Sequence, residues 1–295
     1  MKLLSANTAN GSRLAVKLGS GILIVSQAGE LFPNESVRIP LTLQEALLTD
    51  GELERIEPYL RSAIENPAAA DFLIPEDKVQ VAQPFAPGNV ICIGLNYKDH
   101  AEESSTPLPK QPVIFAKWTS AIMGPGAPIV LPPDTKEVDY EAELAVVIGR
   151  KCRNVPAERA LDYVAGYTCM NDVSARDFQR ADGQWVRAKS QDTFGPFGPY
   201  IVTKDEIPDP QKLRIRCLVN GRALQDSNTS KMIFGVRELI AYLSRGITLL
   251  PGTIISTGTP NGVGFAQVPP VFLQAGDDVV VEIESIGRLS NPVKA

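Results

Sequence analysis

The segment Val138-Asp-Tyr-Glu-Ala-Glu-Leu-Ala-Val-Val-Ile-Gly149 sets two acids, Glu141 and Glu143, against an unbroken apolar run rich in β-branched residues. Such a run reads as a buried strand. Residues i and i+2 of a strand project to one side, so both carboxylates enter the same space. A charge brought into a core needs a counter-charge or a metal ion, and no basic residue lies between Lys136 and Arg150 to supply the first locally. A third acid, Asp172, follows an apolar stretch in Asn171-Asp-Val-Ser-Ala-Arg-Asp177. Three carboxylates form an all-oxygen donor set, suited to Mg²⁺ or Mn²⁺, with Ca²⁺ as a substitute, rather than to Zn²⁺. Taken alone, two acids so spaced are more often a half-exposed acidic edge. The rest of the chain decides.

A length of 295 residues allows one large domain or two unequal ones around a sizeable core. A net charge of −5 without a basic stripe argues against nucleic acid or an anionic membrane as partner, while leaving room for a small anionic substrate. No run approaches the roughly 18 apolar residues of a membrane span, and the first eight residues carry no secretory h-region. Cys92, Cys152, Cys169 and Cys217 form no C-x-x-C pair. Unpaired thiols suggest a reducing compartment, and a cytoplasmic protein is expected.

The fold expected is α+β. Residues 1–75 read as a small N-terminal α+β domain: a hairpin around Gly19-Ser20-Gly21, a helix start at Thr42-x-x-Glu45, and helical spacing of Leu53, Ile56, Leu60 and Ile64, with Pro58 a kink. Pro75 to Pro87 is Pro-rich and polar and reads as a linker, which puts the boundary near Ala70 to Gln80. Residues 76–295 read as the catalytic domain, with strands expected at 90–94, 113–116, 144–148, 164–169, 213–219, 253–256 and 278–283. Many short strands joined by long irregular connections suggest a mixed β-roll or barrel-like sheet rather than a doubly wound one. Val236, Leu239, Ile240 and Leu243 form the apolar stripe of one helix, closed by Gly246.

The single histidine, His100, follows the strand ending at Gly94, and Glu103 lies one helical turn on. A carboxylate beside an imidazole fixes its tautomer and raises its basicity, as a general base requires. In isolation, His100 also reads as a solvated loop residue. Lys189 precedes a Gly/Pro-rich stretch, and Arg176 and Gln179 share a helical side with Asp172. Both cations suit carboxylate recognition, although most basic residues are surface charges. The turn Ser256-Thr-Gly-Thr-Pro-Asn-Gly-Val-Gly264 could hold an anionic oxygen through Thr257, Thr259 and backbone amides, or be purely structural. It is neither a phosphate loop nor a dinucleotide fingerprint.

Together these segments resemble the fumarylacetoacetate hydrolase family. The matching stretches are Gly94-Leu-Asn-Tyr-Lys-Asp-His100, Phe115-Ala-Lys-Trp-Thr-Ser-Ala-Ile122, Asp139 to Gly149, Asn171 to Asp177, Asp192-Thr-Phe-Gly-Pro196 and Ser256 to Gly264, in the family's order. The resemblance implies a β-roll catalytic domain, a homodimer, and one Mg²⁺ or Mn²⁺ held by Glu141, Glu143 and Asp172. It also implies a His100–Glu103 pair on a mobile lid and a substrate-side Lys189, with Arg176, Gln179 and Thr259 lining the pocket. Family members cleave or rearrange β-dicarbonyl acids such as acylpyruvates, and others decarboxylate or tautomerise oxaloacetate. The short leading segment is similar to the acylpyruvase and oxaloacetate-handling branch. The first expectation is a metal-dependent hydrolase cleaving a C–C bond in a 2-oxo acid through an enolate. The alternatives are oxaloacetate decarboxylation or keto–enol tautomerisation in the same site, and a metal- or ligand-binding protein without turnover.

Overall fold

The apolar run after Glu143 lies inside a twelve-stranded sheet. Ala142–Ile148 pairs antiparallel with Val164–Asn171 on one side and Ile254–Ser256 on the other. Its side chains alternate into two apolar clusters, Leu144 and Val146 in one, Ala145 and Val147 in the other. Burial on both faces is why the segment shows no polar alternation. The protein is described by a computed structural model over residues 1–19, 21–31 and 38–295; Ser20, at the expected hairpin tip, lies outside the described residues.

The main path of the sheet runs Leu73–Pro75, Gly21–Ile24, Gly11–Leu18, Lys2–Thr8, Gly195–Thr203, Val164–Asn171, Ala142–Ile148, Ile254–Ser256, Val90–Gly94, Val113–Lys117. Pairing along it is antiparallel except between Ile254–Ser256 and Val90–Gly94, which run parallel. The strands of the first 75 residues thus continue the sheet that carries Glu143, through Lys2 opposite Val202 and Leu3 opposite Ile201. On this side, helix Glu52–Glu65 sends Leu53, Ile56 and Leu60 into the cluster that holds Ala145 and Val147. The helix before it, Leu43–Leu48, starts at Thr42, whose hydroxyl accepts from Glu45 N at 3.1 Å. The Glu45 carboxylate returns to Leu41 N, one residue earlier than a standard capping box.

Against the opposite face lies a five-stranded sheet, ordered Arg222–Asn228, Arg214–Val219, Asp278–Ile283, Gly287–Lys294, Ile129–Val130. Ile215, Val279, Val281 and Leu289 meet Leu144 and Val146 there. Helix Val236–Ser244 adds Val236, Leu239, Ile240 and Leu243 to the same cluster. It is closed by Arg245 in a right-handed conformation, not by Gly246 as expected. Strands Gly195–Thr203, Arg222–Asn228 and Gly287–Lys294 were not anticipated. The first opens Gly-Pro-Phe-Gly-Pro, and the others carry polar residues at half or more of their positions, so neither apolar run nor composition marks them. The architecture is mixed α/β, built from several mixed sheets.

Candidate active site

Glu141 stands just ahead of Ala142–Ile148 and Glu143 lies within it, so both continue the side of the strand that carries Ala145 and Val147. Asp172 follows the partner strand. Asp172 N donates to Glu141 O at 2.9 Å, and Glu141 N donates to Asn171 Oδ1 at 3.0 Å. These bonds lock the two strand ends together. Oxygens of Glu141, Glu143 and Asp172 all lie within 4.8 Å of one another, and all three residues are buried. Glu143 Oε2 accepts from Ser256 Oγ and, at 2.9 Å, from Gly258 N. Gly258 has φ +95°, and a Cβ there would stand 2.7 Å from Asn96 Cβ, so only glycine delivers that amide.

Three buried cations face the acids. Lys189 Nζ donates to Glu141 Oε2 at 2.7 Å and Asp172 Oδ2 at 3.0 Å. Arg176 Nη2 lies 2.7 Å from Glu141 Oε1 without hydrogen-bond alignment, while its Nε donates to Asp139 Oδ2 at 2.8 Å. Lys117, to which the sequence reading assigned no role, donates to Asp172 Oδ1 and, at 3.1 Å, to Val173 O. Its signal was present: a lysine at the end of Val113–Lys117, inside one of the family-like stretches.

These surroundings separate the acids. Burial alone would raise Glu141, but Lys189 and Arg176 outweigh it and bring the carboxyl down to about 2. Burial, with Asp172 and Glu141 beside it, pushes Glu143 up to about 8. Burial would lower Lys189, yet Asp172 and Glu141 raise it above the usual lysine value. A buried cluster built only from carboxylate oxygens that lie within 4.8 Å of one another fits a hard divalent ion.

His100 sits on helix Lys98–Glu103 at the exit of Val90–Gly94. Its Nδ1 is 3.2 Å from Glu103 Oε1, and Glu103 Oε2 accepts from Gly262 N at 2.5 Å. Asp99 ties the same helix to Ser227 Oγ at 2.6 Å. His100, Glu141, Glu143, Arg176, Gln179, Lys189 and Thr259 all line one cavity of about 200 Å³. Glu103 and Asp172 stand behind its wall. Gln179 Oε1 accepts from Arg176 Nη1 at 3.0 Å. Thr259 reaches the cavity, but its hydroxyl donates to Ala142 O at 2.9 Å and accepts from Gln225; Thr257 likewise donates to Leu144 O and does not line it. Phe115, Trp185 and Phe265 complete the walls; Phe115 opens one of the family-like stretches but was given no role, and Trp185 and Phe265 lie outside them. A larger groove of about 750 Å³ includes Lys117 as its one ionisable lining residue and offers no acid–base pair.

A buried carboxylate triad opposed by an oriented imidazole defines an enzyme-like site, and comparison with known proteins assigns its family. Residues 89–294 match the family described as fumarylacetoacetate (FAA) hydrolase C-terminal. The chain belongs to the fumarylacetoacetate hydrolase family, an enzyme family, and is similar to its oxaloacetate-handling branch. The Rattus norvegicus protein named oxaloacetate tautomerase Fahd2a, mitochondrial, is 50% identical over 243 residues, 82% of this chain and 78% of its own. The Homo sapiens protein named oxaloacetate tautomerase FAHD2A, mitochondrial, is 48% identical over 244 residues, with the same two coverages. Among solved structures, fumarylacetoacetate hydrolase from Exiguobacterium antarcticum superposes with TM-score 0.83 at 37% identity, covering 100% of this chain and 99% of that one. Maleylpyruvate hydrolase from Sphingobium, in complex with manganese(II) and pyruvate, gives TM-score 0.78 at 32% identity and the same coverages.

The expectation of a cytoplasmic protein is overturned by these relatives, which are 47–50% identical and named mitochondrial. Free thiols such as buried Cys92 and Cys217 report redox poise, not an organelle. No helix among the described residues is long and apolar enough to cross a membrane.

Proposed function

We propose that the protein is a metal-dependent oxaloacetate keto–enol tautomerase. The observation that carries this choice is the identity of about one half, over 82% of the chain, to proteins named for that reaction. The cavity supports it: about 200 Å³ lies below the 300–1,000 Å³ typical of pockets for drug-sized ligands, as suits a four-carbon diacid. Glu141, Glu143 and Asp172 would hold Mg²⁺ or Mn²⁺. Bound there, the cation supplies charge stabilisation for an enolate.

In this reading, His100, oriented by Glu103, takes the proton from C3 of the keto acid and passes it, directly or through a water, to the C2 oxygen to complete the enol; the reverse reaction moves it from oxygen back to C3. Lys189 would balance charge developing on the C2 oxygen, and Arg176, braced by Gln179, would take a substrate carboxylate; Thr259 would shape the wall. Phe115, Trp185 and Phe265 limit water at C3. Residues 76–295 carry the chemistry on a β-roll, and residues 1–75 brace its sheet as a small packing unit. A homodimer belongs to the same proposal, as does a small anionic 2-oxo acid as sole partner class. The second reading, C–C hydrolysis of an acylpyruvate, has support from the named hydrolases that share the fold. The test is decay of the oxaloacetate enol absorbance with Mn²⁺ and with EDTA, beside a panel of acylpyruvates. Mn²⁺-dependent acceleration confined to oxaloacetate supports tautomerisation; cleavage of acylpyruvates without enol decay refutes it.

A further inference from the structure

Asp139 is wholly buried and does not line the cavity, yet all its acceptor capacity is used. Oδ1 accepts from Gly264 N at 2.7 Å and Tyr140 N at 2.8 Å; Oδ2 accepts from Arg176 Nε at 2.8 Å and Phe265 N at 3.1 Å. Four donors saturate a carboxylate, leaving nothing for a ligand or an ion. The two-residue ladder Val138–Asp139 against Ser174–Ala175 brings Asp139 beside the start of the Arg176 helix. From the other side, a Cβ on Gly264 would meet Asp139 Oδ1 at 2.5 Å and Val271 O at 2.0 Å, so this amide reaches the acid only as glycine. The ring of Phe265 then lies between two groups of the site: the Arg176 guanidinium is 4.7 Å from its centroid, and His100 meets it edge-on at 6.4 Å.

We propose that Asp139 is a positioning residue that holds Arg176 and the Gly264–Phe265 turn as one unit, and so sets the cavity's affinity for the second carboxylate of a dicarboxylic 2-oxo acid. This rests on the proposed function. Asp139→Asn keeps the shape but removes the charge that pairs with Arg176 and turns an amide N–H₂ toward two of the four donors, which loosens the anchor. The experiment titrates the Mn²⁺-loaded protein with pyruvate, which has one carboxylate, and with ketomalonate, which has two on the same 2-oxo core. Wild type is expected to prefer ketomalonate. Asp139→Asn should lower that preference about tenfold or more, as loss of a charged hydrogen bond implies, with Mn²⁺ affinity held within about threefold. The double variant with Arg176→Met should discriminate no worse than Arg176→Met alone, because the two act through one contact. In the Mg²⁺-loaded protein the lone imidazole gives a second readout, since movement of Phe265 shifts the His100 ring resonances. Arg176→Lys is the second variant: it keeps a cation, loses the Nε bond to Asp139, and should lose the same preference. Asp139→Asn and Arg176→Lys that both retain the wild-type preference, or single effects that multiply in the double variant, would overturn the inference alone. A wild type that binds neither acid would overturn the proposed function and this inference with it.

Discussion

Glu143→Gln makes a direct test of the electrostatics of the acid cluster. Without a cation, the Glu143 carboxyl is held up to about 8 by burial, Asp172 and Glu141, against 4.5 for an ordinary glutamate. Between those values the folded protein binds a proton that the unfolded chain has released. Stability is therefore fully present below the unfolded value and is lost as pH rises toward 8. From pH 5.5 to 8 the loss from this group is about 3 kcal/mol at 1.36 kcal/mol per unit. Glu143→Gln carries no proton equilibrium, and its amide oxygen still accepts from Ser256 and Gly258. Denaturant titrations in EDTA at fixed protein concentration, at both pH values, should show the wild type losing that increment relative to the variant. Groups remote from Glu143 are common to both proteins and cancel in the difference. Saturating Mn²⁺, at 100 times its Kd, should restore about 2.7 kcal/mol to the wild type and much less to the variant. Parallel stability profiles for the two proteins across this range would refute the reasoning.

His100→Ala should lower oxaloacetate tautomerisation by about 10²–10⁴ with Mn²⁺ binding unchanged in calorimetry; turnover within about threefold of wild type removes His100 from the mechanism. Lys117→Met breaks a fully buried pair with Asp172 and should cost about 3–5 kcal/mol, read as a fall in Tm. Gly258→Ala should weaken Mn²⁺ binding, because the added Cβ drives Gly258 N away from Glu143 Oε2; wild-type affinity would show that this amide does not position the ligand. Chelation by EDTA should abolish the activity and Mg²⁺ or Mn²⁺ restore it; activity undiminished in EDTA would dispose of the metal.

The acid cluster was legible because two of its members share a short segment and the third opens another motif-bearing turn. Strand alternation did the rest, and it holds although Glu141 lies one residue outside the strand. His100 and Glu103 were legible from helical spacing, and the structure pairs them. Lys117 was not, because its partner is 55 residues away and only the sheet brings them together. Asp139 was hidden by its neighbours: next to Glu141 it reads as one more acid, and its role appears only when Gly264, 125 residues on, folds back to it. The N-terminal strands show the same limit. Their hairpin was visible locally, whereas the pairing of Lys2 with Val202 that joins them to the main sheet is not a local property.

The three clustered acids hang on paired strands deep in the sheet, while His100 and Glu103 ride on a six-residue helix fastened at Asp99 and Glu103. On the proposed function, drift in that helix would retune proton delivery without dismantling the acid cluster. On that reading, altering one short excursion of the chain would change the chemistry while the buried oxygen cluster stays intact.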